Sequence, residues 1–441
     1  MSERENSVTR RRFITATGSG LAAAAMTATA GEWISPALGQ TAGQAADAPS
    51  GGLLPPIKLQ PISALTERES ELAPTAEPPS KRVGFAIVGL GRLALEQILP
   101  AFGEAKRCKP VALVSGDAAK AQQVAQQYGI PASSVYDYNS YDKLRDNPAV
   151  DVIYIVLPNS MHAEYTVRGA QAGKHILCEK PMATNVKEAQ QMIDACKKAN
   201  TKLMIAYRIQ YEPYNRAMMQ MTRGGELGAV KVIEMANGQN QGGDLNQWRL
   251  KKALAGGGSL PDVGVYCFNT ARFLTGEEPV EVSANMYSTP GDPRFREVEE
   301  NVNWMMRFPS GVHAVCSTSY GWHENRYYRV LGAAKWAQMS PAFSYNGLRM
   351  MIGHKSKDNP KMEVLEERML DAKNQFAIEM DHMADCVQND KTPFTPGEEG
   401  LQDHRVMAAI YEAAHNGRTV KLPSVTSMDA YRGSQPSPQP S

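Results

Sequence analysis

Residues 85–102 constrain the fold of this chain more than any other stretch. The apolar segment from Phe85 to Gly89 runs directly into the turn Gly89-Leu90-Gly91-Arg92-Leu93-Ala94, and helical spacing of apolar residues follows from Leu95 to Phe102. In such a G-x-G-x-x-A turn the glycines let the backbone approach a pyrophosphate, whose charge lies at the helix N-terminus. A structural turn is the alternative, but the strand before it and the helix after it favour a dinucleotide site.

Further alternation of strands and helices follows this first unit. Strands are predicted for Pro110 to Ser115, Asp151 to Val156, His175 to Cys178 and Lys202 to Ala206, with helices from Ala163 to Ala172 and Val186 to Ala199. This order predicts a doubly wound, parallel Rossmann sheet over residues 82–207. Ligands of such sheets bind at the carboxyl ends of the strands. The residues at these ends are therefore predicted to contact the cofactor: Leu157, Asn159, His162, Glu179, Lys180 and Arg208.

The end of the second strand indicates which nucleotide is bound. Folds that prefer NAD usually carry an acidic residue there for the ribose 2'-hydroxyl, whereas this chain has Ser115-Gly116. A hydroxyl, glycine N–H groups and the nearby Lys120 suit a 2'-phosphate, so the predicted cofactor is NADP. Two alternatives stay open: Asp117 reaches the ribose, or Asp117 caps the helix that begins at Ala118.

Length and charge narrow the class of protein. A chain of 441 residues is long enough for two domains with sizeable cores. Because 47 Lys and Arg balance 46 Asp and Glu, no charge excess favours nucleic acid or an anionic membrane, and a small neutral partner fits better. The six cysteines are scattered without metal-ligand spacing, so we predict buried thiols and no metal.

The N-terminus has the features of an export signal. Arg10-Arg11-Arg12 precedes a modestly apolar run from Ile14 to Ala30, as in twin-arginine signals, and the run is too weak for a membrane anchor. Residues 1–39 are therefore predicted to direct export to the periplasm. Residues 40–81 are rich in proline and alanine and form either a flexible leader or an extended arm, and residues 426–441 form a Pro/Ser-rich tail.

After residue 207 the pattern changes to longer β-rich segments. Strands are predicted over 230–235, 280–286, 302–308, 311–319 and 326–332, and helices over 374–387 and 400–415. Residues 208–425 are thus predicted to form an α+β domain with a large, mostly antiparallel, open-faced sheet, which makes the whole chain α/β.

One segment of this second domain carries candidate reacting groups. Asp262 and Tyr266 are four residues apart within Gly256 to Tyr266, a spacing that places them on one helical face. Oxidising a sugar hydroxyl requires a group that takes its proton while hydride leaves the same carbon, and Tyr266 is the predicted carrier. A free tyrosine has a pKa near 10, so Tyr266 needs the positive charge of Lys180 beside it. Alternatively, Lys180 is a surface ion-pair partner and Tyr266 a core aromatic.

Taken together, these motifs resemble the Gfo/Idh/MocA oxidoreductases, and within that family the glucose-fructose oxidoreductases. The resemblance covers roughly residues 81–422 and rests on Ala86-Ile-Val-Gly-Leu-Gly91, Leu157-Pro-Asn-Ser-x-His162, Cys178-Glu-Lys-Pro-Met-Ala183, Tyr207-Arg208, Gln247-Trp-Arg-Leu250, the Gly256 to Tyr266 segment and Pro396-Gly-Glu-Glu-Gly400.

The resemblance implies roles for individual residues. Lys180 orients the substrate oxygen, Asp262 and Tyr266 complete the catalytic group, and Tyr211 joins these three in contacting the substrate. Ser115 and Lys120 bind the 2'-phosphate, and Trp248 and Arg249 enclose the cofactor. The proline-rich segment is then an arm. The open face of the second sheet forms the subunit contacts of a homo-oligomer, which is a dimer or a tetramer.

Two departures from the glucose-fructose enzymes bear on function. Arg92-Leu93 replaces a Lys-Tyr pair, and Gly321 to Asn325 replaces a Ser/Thr-rich stretch that we expect at the sugar site. The predicted function is oxidation of an aldose at C1 to its lactone and reduction of a second sugar to an alditol, with NADP kept bound. The alternatives are a dehydrogenase with exchangeable NADP and a non-catalytic sugar-binding protein.

Overall fold

The computed structural model describes residues 77–425 of the protein. The predicted export signal, nearly all of the proline-rich arm and the tail lie outside the described residues. Within them, parallel strands form a first sheet in the order β3-β2-β1-β4-β5-β6. The strands are β1 Val83–Val88, β2 Cys108–Val114, β3 Val135–Tyr136, β4 Val152–Ile155, β5 His175–Glu179 and β6 Leu203–Ala206.

Helices cover this sheet, whose strands β1, β4 and β6 are buried at every residue, as expected of a parallel sheet with both faces packed. The helices of this half are α1 Leu99–Ala101, α2 Ala118–Tyr128, α3 His162–Gln171 and α4 Val186–Lys198. The predicted first helix is not a single α-helix, because a π-helical turn, Ala94–Ile98, precedes α1. Pro100 has no N–H with which to continue a regular α-helical ladder.

The strand order reverses between β1 and β4. The strands that follow β1 in the chain are added on one side of it, and β4 to β6 are added on the other side. A crevice at the carboxyl ends of these strands is the usual ligand site of a doubly wound sheet. The glycine turn follows β1 at this point.

The second half contains a larger sheet in the order β14-β13-β12-β11-β7-β10-β9-β8-β15, antiparallel except where β7 pairs with β10. Its strands are β7 Val230–Gly238, β8 Glu281–Tyr287, β9 Asn301–Arg307, β10 His313–Ser319, β11 Asn325–Gly332, β12 Lys335–Met339, β13 Met350–Lys355, β14 Glu363–Arg368 and β15 Val420–Lys421. The predicted fold class, a Rossmann sheet followed by a mostly antiparallel sheet, is confirmed.

Strands β12 to β14 were not predicted from the sequence. The outermost of them, β14, consists of Glu-Val-Leu-Glu-Glu-Arg and is largely exposed. Its charges hide the alternation typical of a strand, and they are usual on a sheet edge, where they discourage pairing with other chains.

The remaining helices are α5 Pro213–Arg223, α6 Lys252–Ala255, α7 Val265–Thr275, α8 Gln375–Gln388 and α9 Gly397–Asn416. Helix α8 returns to the first sheet, where Phe376 and Met380 pack in the same buried cluster as Phe85 and Ile87 of β1. The predicted domain 208–425 therefore supplies part of the core of the Rossmann half. No helix among residues 77–425 is long and apolar enough to cross a membrane.

Candidate active site

A cavity of about 760 Å³ opens at the strand reversal, between the carboxyl ends of the parallel strands and the second half of the chain. Most of the predicted site residues line it: Gly89, Leu90, Gly91, Arg92, Leu93, Ser115, Lys120, Leu157, Asn159, Glu179, Lys180, Arg208, Trp248, Arg249, Asp262 and Tyr266. Residues far apart in sequence thus converge on one space, although their roles there stay predictions.

The glycine turn has the geometry that close approach of a phosphate requires. Gly89 has φ +94°, and a Cβ at this position would lie 2.3 Å from the carbonyl oxygen of Val156. A Cβ on Gly91 would meet nothing within 4 Å, so it would project into space that the glycine leaves open. The turn therefore fits a dinucleotide pyrophosphate, with Gly89 required by the fold and Gly91 by the ligand space.

The cavity wall beyond β2 includes Asp117, which caps a helix. Asp117 is the N-cap of α2, and its carboxylate accepts a hydrogen bond from the Lys120 backbone N–H at 3.0 Å. Ser115 is buried, and its hydroxyl accepts from the Asp117 N–H at 3.1 Å. Of the two readings that the sequence left open, the capping interaction is the one that the structure contains.

Lys180, Asp262 and Tyr266 lie together in the same cavity. The Lys180 Nζ donates to the Asp262 carbonyl oxygen at 2.7 Å and lies 3.5 Å from the Asp262 Oδ1. The same Nζ is 4.7 Å from the centre of the Tyr266 ring, within range of a cation–π interaction. Lys180 is thus held inside the cavity between the other two groups and is no surface ion-pair partner.

Asp262 is buried among three partners. Its Oδ2 accepts from the Arg249 Nε at 3.2 Å and from the Tyr320 hydroxyl at 2.7 Å, in addition to the contact with Lys180. Burial alone would raise the pKa of Asp262, but Arg249 and Lys180 outweigh it and lower that pKa. Burial alone would lower the pKa of Lys180, but Tyr266 and Asp262 raise it. Both groups therefore stay charged at neutral pH.

Arg208 contacts Tyr266, a role that sequence reasoning missed. Its Nη2 donates to the Tyr266 hydroxyl at 3.1 Å and to the Phe343 carbonyl at 2.6 Å, and its Nη1 donates to the Gln375 side chain. The guanidinium is buried, so the phenol is flanked by two cations, Arg208 and Lys180. The strand-end position marked Arg208 as a candidate, but no sequence spacing links it to Tyr266.

Two predicted contacts are not at the cavity. Both ring nitrogens of His162 lie 2.9 Å from carbonyl oxygens, those of Pro181 and Leu157, so the buried ring joins the turns after β4 and β5. Tyr211 is also buried, and its hydroxyl lies 2.8 Å from the Thr395 hydroxyl while its ring stacks on Phe394. His162 as a cofactor contact and Tyr211 as a substrate contact are corrected accordingly.

The remaining wall includes three polar residues that were not predicted: Gln239 and Gln241, which follow β7, and Arg326 on β11. The Arg326 Nη2 donates to the Gln239 Oε1 at 3.2 Å, and the Gln239 Nε2 donates to the Gln241 Oε1 at 2.9 Å. The segment from Gly321 to Asn325, which was predicted to lie at the sugar site, is not among the residues that line the cavity. Its Trp322 packs against Gly238 instead.

Comparison with family models identifies the architecture. Residues 83–207 match the oxidoreductase family with an NAD-binding Rossmann fold, and residues 215–338 match a GFO/IDH/MocA C-terminal domain. The chain belongs to the Gfo/Idh/MocA oxidoreductase family. The predicted family is therefore confirmed, and the glycine turn described above is that of a Gfo/Idh/MocA Rossmann domain that binds NAD or NADP.

Individual members of the family are also similar. The crystal structure of aldose-aldose oxidoreductase from Caulobacter crescentus, complexed with glycerol, is 44% identical, has a TM-score of 0.74, and is aligned over 77% of this chain and 100% of its own. D-xylose 1-dehydrogenase [NADP(+)] from Haloarcula marismortui is 31% identical over 77% of this chain and 93% of its own. A D-xylose 1-dehydrogenase (NADP(+)) from Haloferax volcanii is 29% identical over 77% and 99%.

Tyr320 is expected to position Asp262. Losing a buried hydrogen bond to a charged group costs about 1.5–3 kcal/mol, so Tyr320→Phe should lower kcat by about tenfold or more. It should also raise the pKa of Asp262, because the hydroxyl is one of the groups that lower it. Activity would then be lost at a higher pH on the acidic side of the profile, which measurement of kcat against pH detects.

The matched control is Tyr328→Phe. Tyr328 is fully buried and its hydroxyl donates to Asn215 at 2.8 Å, away from the cavity. Equal changes in kcat and in the acidic side of the pH profile in both variants would show that Tyr320 acts only through the stability of the protein.

Proposed function

We propose that this protein is an exported sugar oxidoreductase that keeps NADP bound, oxidises an aldose at C1 to its lactone and reduces a second sugar to an alditol. The observation that carries the proposal is the placement of Lys180, Asp262 and Tyr266 in the same cavity as the glycine turn. The similarity to an aldose-aldose oxidoreductase supports the two-sugar reaction.

The chain's own groups supply the proton chemistry. The glycine turn would hold the pyrophosphate of the dinucleotide, and its nicotinamide would supply the hydride chemistry between the carbons of the two sugars. Lys180, whose ammonium is fixed by Asp262, is placed to donate a hydrogen bond to the reacting oxygen. Tyr266 is the proton carrier, since its hydroxyl borders the cavity and receives a hydrogen bond from Arg208.

NADP is preferred to NAD in this proposal because of the wall beyond β2. The buried Ser115 and the Lys120 side chain border the space where a 2'-phosphate would lie, and the nearest acid, Asp117, is engaged in capping α2. The named NADP-dependent relatives support the same preference.

A neutral sugar suits the polar wall of the second sheet. Amide groups both donate and accept hydrogen bonds, and an arginine donates them, so Gln239, Gln241 and Arg326 can bind sugar hydroxyls remote from C1. An aldose offers several such hydroxyls. We assign these residues to sugar recognition.

Export and assembly complete the proposal. The twin-arginine signature of residues 1–39 predicts a periplasmic protein, and retention of the cofactor follows because no NADP pool is expected there. Met305 and Val315 on the second sheet are more than two-fifths exposed. Exposed apolar side chains of this kind support a homo-oligomer built on the open face.

One alternative has its own support. The 31% identity to an NADP-dependent D-xylose 1-dehydrogenase favours a one-sugar reaction with exchangeable NADP. A non-catalytic sugar-binding protein is disfavoured, since sugar binding alone does not require a lysine, a carboxylate and a phenol opposite a dinucleotide turn.

The decisive experiment adds no nucleotide. Purified protein is dialysed extensively and incubated first with one aldose. It is then incubated with a pair of sugars, either two aldoses or an aldose and a ketose, while lactone and alditol are measured together. We expect equal amounts of both products and ping-pong kinetics, because a bound NADPH is reoxidised only by a second sugar entering the same site.

The outcome separates the two enzymes. Turnover that appears only when free NADP is supplied would replace the paired-sugar reaction with the dehydrogenase. The nucleotide released from the denatured, dialysed protein gives an independent count of the retained cofactor.

A further inference from the structure

Two buried carboxyl groups meet beside the cavity at a single tyrosine. The Tyr154 hydroxyl lies 2.8 Å from the Glu179 Oε1 and 3.3 Å from the Glu379 Oε1. Tyr154 is on β4, Glu179 ends β5, and Glu379 is on α8. Of the two glutamates, Glu179 lines the cavity, whereas Glu379 is sealed behind it with no exposed surface.

The surroundings of Glu379 favour its protonated form. A phenol has a single hydrogen, which the Tyr154 hydroxyl donates to Glu179 at the shorter distance, so Glu379 has at most a share of it at the longer one. The Glu379 Oε2 is buried and has no hydrogen-bond partner among the described residues, an arrangement that is costly for a carboxylate. In agreement, burial raises the pKa of Glu379 well above its ordinary value, and the charge of Glu179 raises it further.

Glu179, in contrast, has cations as well as the Tyr154 hydroxyl among its neighbours. Burial raises its pKa, while Lys180, Tyr154 and Arg208 act in the opposite direction. The charged and titratable groups around the two carboxyls are Lys180, Arg208, Tyr154, Tyr211 and Tyr345. Glu179 borders the cavity, so of the two carboxyls it is the one that groups in the cavity can reach.

The proposed two-sugar reaction needs such a group between its halves, and the following inference rests on that proposed function. In the first half, C1 loses hydride to the nicotinamide and the hydroxyl oxygen loses a proton. Tyr266 carries this proton away from the sugar, so a second group must hold it until the other half-reaction begins. The second half consumes one hydride and one proton, which restores the starting state.

We infer that Glu179 stores this proton between the two half-reactions. Glu179 is ionised while the cofactor is oxidised, becomes protonated when the first sugar is oxidised, and gives the proton back when the second sugar is reduced. Glu379 keeps its own proton throughout and, through Tyr154, presents a neutral partner to Glu179. The enzyme thus completes its cycle without exchanging a proton with the solvent.

Proton release during one half-reaction tests the inference. Protein with its bound cofactor, in weakly buffered solution at neutral pH with a pH-indicator dye, is mixed rapidly with one aldose and no second sugar. Absorbance of the reduced nicotinamide gives the extent of reaction, and the dye gives the protons released. The reading is taken before the lactone hydrolyses, because the resulting acid releases a proton of its own.

We expect the natural protein to reduce its cofactor with almost no proton release. Glu179→Gln should release about one proton per cofactor reduced, since its store is missing. Glu379→Gln is the matched variant: it makes the same chemical change but replaces a carboxyl that is already neutral, so release should stay near zero. Asp381→Asn, which alters a partly buried carboxyl of α8, should behave like the natural protein.

Two results would overturn the inference. One is release of about one proton by the natural protein. The other is continued retention in Glu179→Gln, which would place the proton on Tyr266 or elsewhere. Absence of any nicotinamide reduction by an aldose would instead contradict the proposed function, so the two failures are distinguishable.

Discussion

Lys180→Ala and Tyr266→Phe are each expected to lower kcat by about two or more orders of magnitude, the usual contribution of a positioned acid or base. Lys180 is the group that contacts both Asp262 and the Tyr266 ring, so its loss removes the hydrogen bond to the reacting oxygen and one of the two cations beside the phenol. Phenylalanine at position 266 keeps the ring but removes the hydroxyl that Arg208 holds. Steady-state kinetics on the sugar pair measure both effects.

The nucleotide content of Tyr266→Phe should stay near that of the natural protein, since the glycine turn and the wall beyond β2 are unchanged. Tyr141→Phe is a matched control, because the Tyr141 hydroxyl is buried and donates to the Tyr165 carbonyl away from the cavity. Near-full activity in Tyr266→Phe would assign the proton transfer to a different group. His162 was the next candidate from the sequence, but its ring nitrogens face two carbonyl oxygens.

Ser115→Asp is expected to reverse the cofactor preference, from NADP over NAD to NAD over NADP. A carboxylate at this position would repel the 2'-phosphate and accept hydrogen bonds from a free 2'-hydroxyl. Two charges about 4 Å apart near a protein surface interact by about 4 kcal/mol, so the ratio of the two dissociation constants should change by at least about 100-fold. Binding of each nucleotide to protein freed of its cofactor measures this ratio.

The control for charge is Ser133→Asp, an exposed position that does not border the cavity. Lys120→Gln should weaken NADP and leave NAD unchanged, since the side chain is altered while the backbone N–H still binds Asp117. Equal affinity of the natural protein for NAD and NADP would contradict the assignment of Ser115 and Lys120 to the 2'-phosphate.

Local sequence determined the parts of this protein whose geometry depends on neighbours in the chain. The turn at Gly89 needs a positive φ, which glycine adopts without a steric cost. The Asp117 cap depends on a carboxylate three residues before the N–H that it binds. Parallel strands end at one edge of a sheet, so strand ends in the sequence were enough to bring Glu179, Lys180 and Arg208 to the cavity.

Tertiary structure decided which of these groups are partners. The Arg208 contact with Tyr266 joins residues 58 positions apart, and Tyr320 reaches Asp262 over the same separation. No periodicity encodes such distances, because they depend on how segments far apart in the sequence pack together. The same packing seals Glu379 of α8 against Glu179, and it places Tyr211 in the core. Local periodicity reports which face of an element is buried, whereas the partner across that face is chosen only when distant segments of the chain pack together.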